Sequence, residues 1–286
     1  MPKVAVVSLA TPDNLARSVL KVLYSKTRSI SASVVFGGSF NKSNPQLLFF
    51  IFFSTLCSYS FHWYFTNQSV IQSPRIQWVQ QHRKLHVLYF VAGLIGSGVF
   101  FFFLLDYLYW LVISAIITFL YSAPKIPHTY FRSLRKVALG KTIFLALVWM
   151  FVTTILPIVI SHQPWRNDFL LFILSRFFFI YAICILFDFR DREDDKAAGI
   201  RSLITYLSIR SITVVFIITI LLFFIATIGM GHYGYGSISI VLLLLPGIIT
   251  ACLYNYARNN FSDLLYYFVL DGLMALSAIL MLIAGI

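Results

Sequence analysis

Charge is what this sequence has least of. Charged residues make up 11% of the 286 positions, acidic ones number only ten against 22 lysines and arginines, and 59% of the chain is hydrophobic. A water-soluble globule of this size needs more polar surface than that composition supplies, so water is not the main solvent. Cysteine is scarce as well. Cys57, Cys184 and Cys252 all fall in or at the ends of apolar runs, which excludes a disulfide framework and makes them small core residues. Of the six histidines only His82 and His86 stand four apart. A membrane di-iron site needs several such pairs, so this one reads as part of a polar loop helix. Internal repeats and spans broken at matching places in two halves, the marks of a transporter, are missing from the sequence. The apolar stretch from Val4 to Ala10 is short and runs into Pro12 and Asp13, so a cleavable signal is not expected.

Long apolar runs are abundant, among them Leu47 to Phe65, Leu88 to Leu105, Ile212 to Ile228 and Ile238 to Leu253. Each approaches the roughly 17 to 25 residues that cross a bilayer as a helix. The runs are continuous rather than alternating, which points to helices and not barrel strands. The expected fold is all-α and polytopic, one domain over 1–286 with about nine transmembrane helices. The spans are predicted near 19–37, 46–65, 86–104, 107–122, 141–160, 168–187, 211–230, 236–254 and 264–285. The first carries Lys21, Lys26 and Arg28, as a tilted or interfacial helix would. In this arrangement thirteen Lys and Arg residues fall in loops on one side and two, Lys42 and Arg166, on the other. Basic loops stay in the cytoplasm, which places the amino terminus there and the carboxyl terminus opposite. An integral, multi-pass protein is expected, in the cell inner membrane for a bacterial chain. Its net charge of +12 is scattered through short loops, so it serves orientation and not nucleic-acid binding.

Half of the acidic residues sit together: Asp188, Asp191, Glu193, Asp194 and Asp195 fall within eight positions. Spacings of three, four and seven put Asp188, Asp191 and Asp195 on one face of a helix continuing out of the sixth span. Packed carboxylates repel one another unless a cation sits among them. Mg²⁺ takes one or two carboxylates together with waters and phosphate oxygens, so the cluster suits a diphosphate site at the membrane edge. The plainer alternative is a solvated helix end paired with Arg190, Arg192, Lys196 and Arg201.

The stretch Asp188-Phe-Arg-Asp-Arg-Glu-Asp-Asp-Lys-Ala-Ala-Gly-Ile-Arg-Ser202 closely resembles the second aspartate-rich motif of the UbiA family of intramembrane prenyltransferases. Asp188, Asp191 and Asp195 take its aspartate positions, Gly199 its glycine, and Arg201-Ser202 the basic residue and hydroxyl that follow. Tyr121-Ser-Ala-Pro-Lys125 is similar to the family's Tyr-x-x-x-Lys element after the fourth span. The resemblance implies a helical bundle around a central cavity, with Asp188, Asp191 and Asp195 as catalytic metal ligands for Mg²⁺. It further implies transfer of an isoprenyl group from an isoprenyl diphosphate to an aromatic, quinone-precursor or other lipophilic acceptor, in contact with membrane lipid. Tyr121, Lys125, Arg132, Lys136 and Arg201 are the substrate-binding candidates, since cationic donors offset the charge of a departing diphosphate. For the basic members, orientation in the membrane is the simpler reason to exist.

The first motif of that family, Asn-x-x-x-Asp-x-x-x-Asp, is not matched. Its place reads Cys57-Ser-Tyr-Ser-Phe-His-Trp-Tyr-Phe-Thr-Asn-Gln68, without an acidic residue. With Ser60 at the Asn position, Tyr64 and Gln68 stand where the aspartates belong, and these three complete the candidate substrate site. The loss leaves three readings: a transferase working from one aspartate motif, altered chemistry on another lipid-linked substrate, or a noncatalytic homolog that binds a prenyl lipid or a partner. Arg176 lies inside the sixth span, where a charge must face the bundle interior. It is expected either to contact substrate or to form an ion pair, with Asp271 as the candidate partner.

Overall fold

A computed structural model gives the fold and describes residues 45–65, 81–122, 140–197 and 202–285. The expected span at 19–37 lies outside the described residues, as do Gln68, Lys125, Arg132, Lys136, Gly199 and Arg201. Among the described residues every regular element is helical. In chain order they are α1 (Pro45–Phe65), α2 (Arg83–Phe102), α3 (Leu108–Ser122), α4 (Gly140–Met150), α5 (Leu156–Ile160), α6 (Asn167–Ala197), α7 (Leu203–Tyr206), α8 (Ile209–Gly229), α9 (Ser237–Asn259) and α10 (Asp271–Ile283). Wide π turns at Phe151–Ile155 and Leu265–Leu270 join α4 to α5 and lead into α10.

Six helical stretches are long and apolar enough to cross a membrane: Arg83–Phe102, Thr142–Ile160, Asn167–Glu193, Ile209–Tyr233, Ser237–Asn259 and Leu265–Ile283. The protein is an integral, multi-pass membrane protein. Six of the nine expected spans are found at this length among the described residues. The span expected at 46–65 is met by α1, Pro45–Phe65, and the one expected at 107–122 by the shorter apolar helix Leu105–Tyr121.

The described chain forms two compact units. In the first, 45–65 with 81–106, α1 and α2 lie side by side. Gly93 is what lets them approach, because a Cβ there would meet the Cys57 backbone nitrogen at 2.6 Å. Phe100 stacks on Phe49 and Phe53, with ring centroids 5.0 and 5.8 Å away. This is the small-residue close approach that replaces the hydrophobic effect as the driving force between helices in lipid.

The second unit, 107–122 with 140–197 and 202–285, is organised around α6, which touches α4, α7, α8, α9 and α10. One core cluster joins Phe179, Ile183 and Leu186 of α6 to Phe223 of α8 and to Tyr266 and Leu270. Another joins Phe172 and Ile180 to Ala146 and Trp149 of α4 and Met281 of α10. The outer face of α8 exposes Val214, Ile217, Ile218, Leu221 and Ile225, a surface suited to acyl chains.

The start of α6 is pinned by Asp168, which is only 1% exposed. Its carboxylate accepts from Arg166 Nε at 3.0 Å and from the Tyr235 hydroxyl at 2.5 Å. An acid in a first helical turn also complements the helix dipole. Burial, and then donation to Asp168, raises the Tyr235 phenol well above its ordinary range.

Candidate functional site

The far end of α6 carries the acidic motif. The helix does not stop at residue 187, where the apolar pattern fades; it runs unbroken to Ala197. Asp188 and Asp195 are buried, at 3% and 4% exposure, and Asp191 is half-buried. One face of the helix therefore stays turned inward for two turns beyond the apolar run, as the three-, four- and seven-residue spacing requires.

Asp188 is held from another helix. Thr142 Oγ1, in the first turn of α4, donates to its Oδ2 at 2.6 Å, and both residues are buried. A hydroxyl donating to an ionised carboxylate is among the stronger protein hydrogen bonds. Thr142 was not legible as a site residue: one hydroxyl at the head of an apolar helix is its only trace in the sequence.

The basic residues beside the motif have partners of their own. Arg190 pairs with Asp263 at 2.7 Å and lies 4.2 Å above the Tyr267 ring and 5.7 Å from that of Tyr266. The π turn at Leu265–Leu270 supplies both consecutive tyrosines, a local widening common where a helix serves a site. Tyr266 in turn donates to the Ala257 carbonyl oxygen at 2.7 Å, tying the π turn to α9. Lys196 and Arg192 reach Glu193, at 3.1 and 3.9 Å. Ser202 is fully buried at the head of α7, where its backbone N–H donates to Thr205 Oγ1 at 2.8 Å.

Among the described residues no three or more His, Cys, Asp or Glu side chains gather into a group able to hold a metal alone. The chemistry of the donor set still fits Mg²⁺, which takes one or two carboxylates and completes its shell with water and phosphate oxygens. Asp188, Asp191 and Asp195 are hard oxygen donors on one helix face, and nothing in that arrangement requires a closed protein cage.

The other candidates are more dispersed. Tyr121 is half-buried near the end of α3, in the same unit as the acidic motif. Ser60 is buried in α1 and Tyr64 is 40% exposed. Arg83 sits 5.2 Å over the Tyr64 ring. Ser60 and Tyr64 belong to the first unit, whereas Asp188, Asp191 and Asp195 belong to the second.

Arg176 departs from expectation. Its partner in the last span is Ser277 and not Asp271: Nη2 donates to the serine hydroxyl at 2.8 Å. Its guanidinium lies 5.1 Å from the Phe172 ring and 6.0 Å from that of Phe179. Aromatic faces and a hydroxyl can shelter a delocalised guanidinium, which is more weakly hydrated than an ammonium.

Residues 66–279, most of the chain, match the UbiA prenyltransferase family. The chain belongs to that family. Membership carries with it a prenyltransferase-type function, a transferase of alkyl groups working within a membrane. The UbiA match contains the whole acidic motif and the Tyr121 element, and it begins at Thr66, beyond Ser60 and Tyr64. Neither the curated proteins nor the solved structures compared with the chain gave a match.

Proposed function

We propose that this protein is an intramembrane transferase that moves an isoprenyl group from an isoprenyl diphosphate to an aromatic, quinone-precursor or other lipophilic acceptor. The observation that carries the reading is the inward-turned carboxylate face of α6, Asp188, Asp191 and Asp195, inside the region matched to the UbiA family. In this reading the whole chain, 1–286, is one domain, and α1, the helix Leu105–Tyr121 and the segment 19–37 complete a nine-span bundle around a central cavity. The basic loops and the amino terminus face the cytoplasm.

Asp188, Asp191 and Asp195 would hold Mg²⁺, which when bound supplies charge stabilisation for the departing diphosphate. Thr142 fixes the rotamer of Asp188, so that a carboxylate oxygen faces the site before substrate arrives. Lys125, Arg132, Lys136 and Arg201 are the proposed cationic contacts for the diphosphate oxygens, and Tyr121, Ser60, Tyr64 and Gln68 are the other proposed substrate-binding residues. The Arg190–Asp263 pair anchors the motif to the head of the last span. Apolar helices hold the isoprenoid tail and keep water from the electrophilic carbon, which the acceptor then captures.

The test is transfer by the purified protein from labelled isoprenyl diphosphates to a panel of phenolic and quinone acceptors. Product should form with Mg²⁺ and fall at least a hundredfold in Asp191→Ala and Asp195→Ala, and chelation should abolish it. An unchanged rate in both variants sinks the assigned roles. A second reading, a noncatalytic homolog that binds a prenyl lipid or a partner, draws on the lack of any acidic residue from Cys57 to Gln68. Tight diphosphate binding without turnover across the panel is its signature.

A further inference from the structure

The one tyrosine of α6, Tyr181, is half-buried, and its hydroxyl has no hydrogen-bond partner among the described residues. Other inward tyrosines of that unit are satisfied. Tyr235 donates to Asp168, Tyr266 donates to the Ala257 carbonyl oxygen, and Tyr254 shares a 2.6 Å hydrogen bond with Thr213. A phenol left unpaired inside a membrane is costly, and buried tyrosine hydroxyls nearly always find a partner.

Its place along the helix says what that partner is. Tyr181 precedes Asp188 by seven residues, two turns, so both project from the same face. The offset is about 10 Å along the axis, toward the membrane interior. Phe177, one further turn away, stacks against the Tyr181 ring at 5.8 Å with only 6° between the planes. From Asp188 inward the face thus presents a carboxylate, then a hydroxyl, then a flat aromatic bed.

We propose that the Tyr181 hydroxyl donates a hydrogen bond to a ring oxygen of the prenyl acceptor, with Phe177 and Tyr181 forming the surface its aromatic ring lies on. This rests on the transferase reading. A diphosphate held by the motif leaves toward the polar end, so the acceptor approaches the allylic carbon from the opposite, apolar side. Tyr181 supplies a hydroxyl donor on that side of the motif face. The acceptor class that fits is a planar aromatic bearing a hydroxyl or carbonyl oxygen.

The test compares 2-naphthol with naphthalene, equal in ring system and differing by one oxygen, as probes of the full-length protein in detergent. Binding is read from naphthyl fluorescence, with no diphosphate or metal present. The wild type should favour naphthol over naphthalene by about three- to tenfold, the worth of one neutral hydrogen bond. Tyr181→Phe should abolish that preference while leaving naphthalene binding unchanged, because ring and stacking persist. Equal affinities in the wild type, or a preference that survives in Tyr181→Phe, overturns the proposal. Where transfer is also measured, the same variant should raise the KM for the acceptor and not for the diphosphate. Loss of the naphthol preference in a protein without transfer activity keeps Tyr181 as a ring-oxygen donor and removes the transferase reading alone.

Discussion

Asp188 shows how much of a site residue is local. Its membership of an acidic helix face follows from spacing to Asp191 and Asp195 and is readable in the sequence. Its fixed orientation is not, because Thr142 lies 46 positions away and meets it only when α4 packs on α6. Thr142→Val keeps the shape and deletes the donor. It should cost about 1.5–3 kcal/mol of stability, the usual worth of a hydrogen bond to a charged group, while Thr142→Ser should recover most of it. Thermal unfolding of the two variants in detergent measures the difference. If Asp188 binds diphosphate through a metal, Thr142→Val should also raise the KM for the isoprenyl substrate, and equal KM values would separate a folding role from a site role. Arg176 is the converse case: the sequence locates a charge in a span and even the helix that satisfies it, yet Ser277 and two phenylalanine rings replace the expected carboxylate. Hydropathy patterns carry no information on which neighbour shelters a cation.

At the scale of elements, continuous apolar runs identify helices well and their ends poorly. The run of the sixth span fades at Phe187, but burial continues through Asp188 and Asp195 because the protein interior, not lipid, lines that face. Hydropathy reports transfer to lipid and so misses polar positions that face protein. The π turns at Phe151–Ile155 and Leu265–Leu270 were equally hidden, since one extra residue in a turn leaves composition unchanged. Close contacts are more legible once a glycine is seen in a span. Gly247 of α9 lies under Phe223 of α8, where an added Cβ would come within 2.0 Å of the ring, and Phe223 is 1% exposed. Gly247→Ala should therefore separate α8 from α9 and cost about 1–3 kcal/mol through overpacking. Apparent melting temperature in detergent is the readout, and Phe223→Leu in the same chain should relieve part of the loss.

For the whole molecule, composition alone assigns the solvent, and the six membrane-length helices agree with it. The distribution of Lys and Arg predicts an orientation that is open to direct measurement. With Cys57, Cys184 and Cys252 replaced, Gln163→Cys and Arg210→Cys place single thiols at exposed positions, one in the loop before α6 and one in the first turn of α8. A membrane-impermeant maleimide added to intact cells should label Gln163→Cys at once and Arg210→Cys only after permeabilisation. The opposite order would invert the protein in its membrane and put the acidic motif on the outer side.

Arg176 finally bears on how the chain is made. Its hydrogen bond to Ser277 joins residues 101 positions apart, so the ribosome must finish nearly the whole carboxyl-terminal half before that partner exists. Until then the nascent sixth span carries a cation with no serine to receive it, an uncomfortable passenger for a bilayer. The translocon, or water at its mouth, has to chaperone α6 through that interval. A chain that stopped short of α10 would keep Arg176 inside its span without this hydrogen bond, and a charge left so in a bilayer is costly.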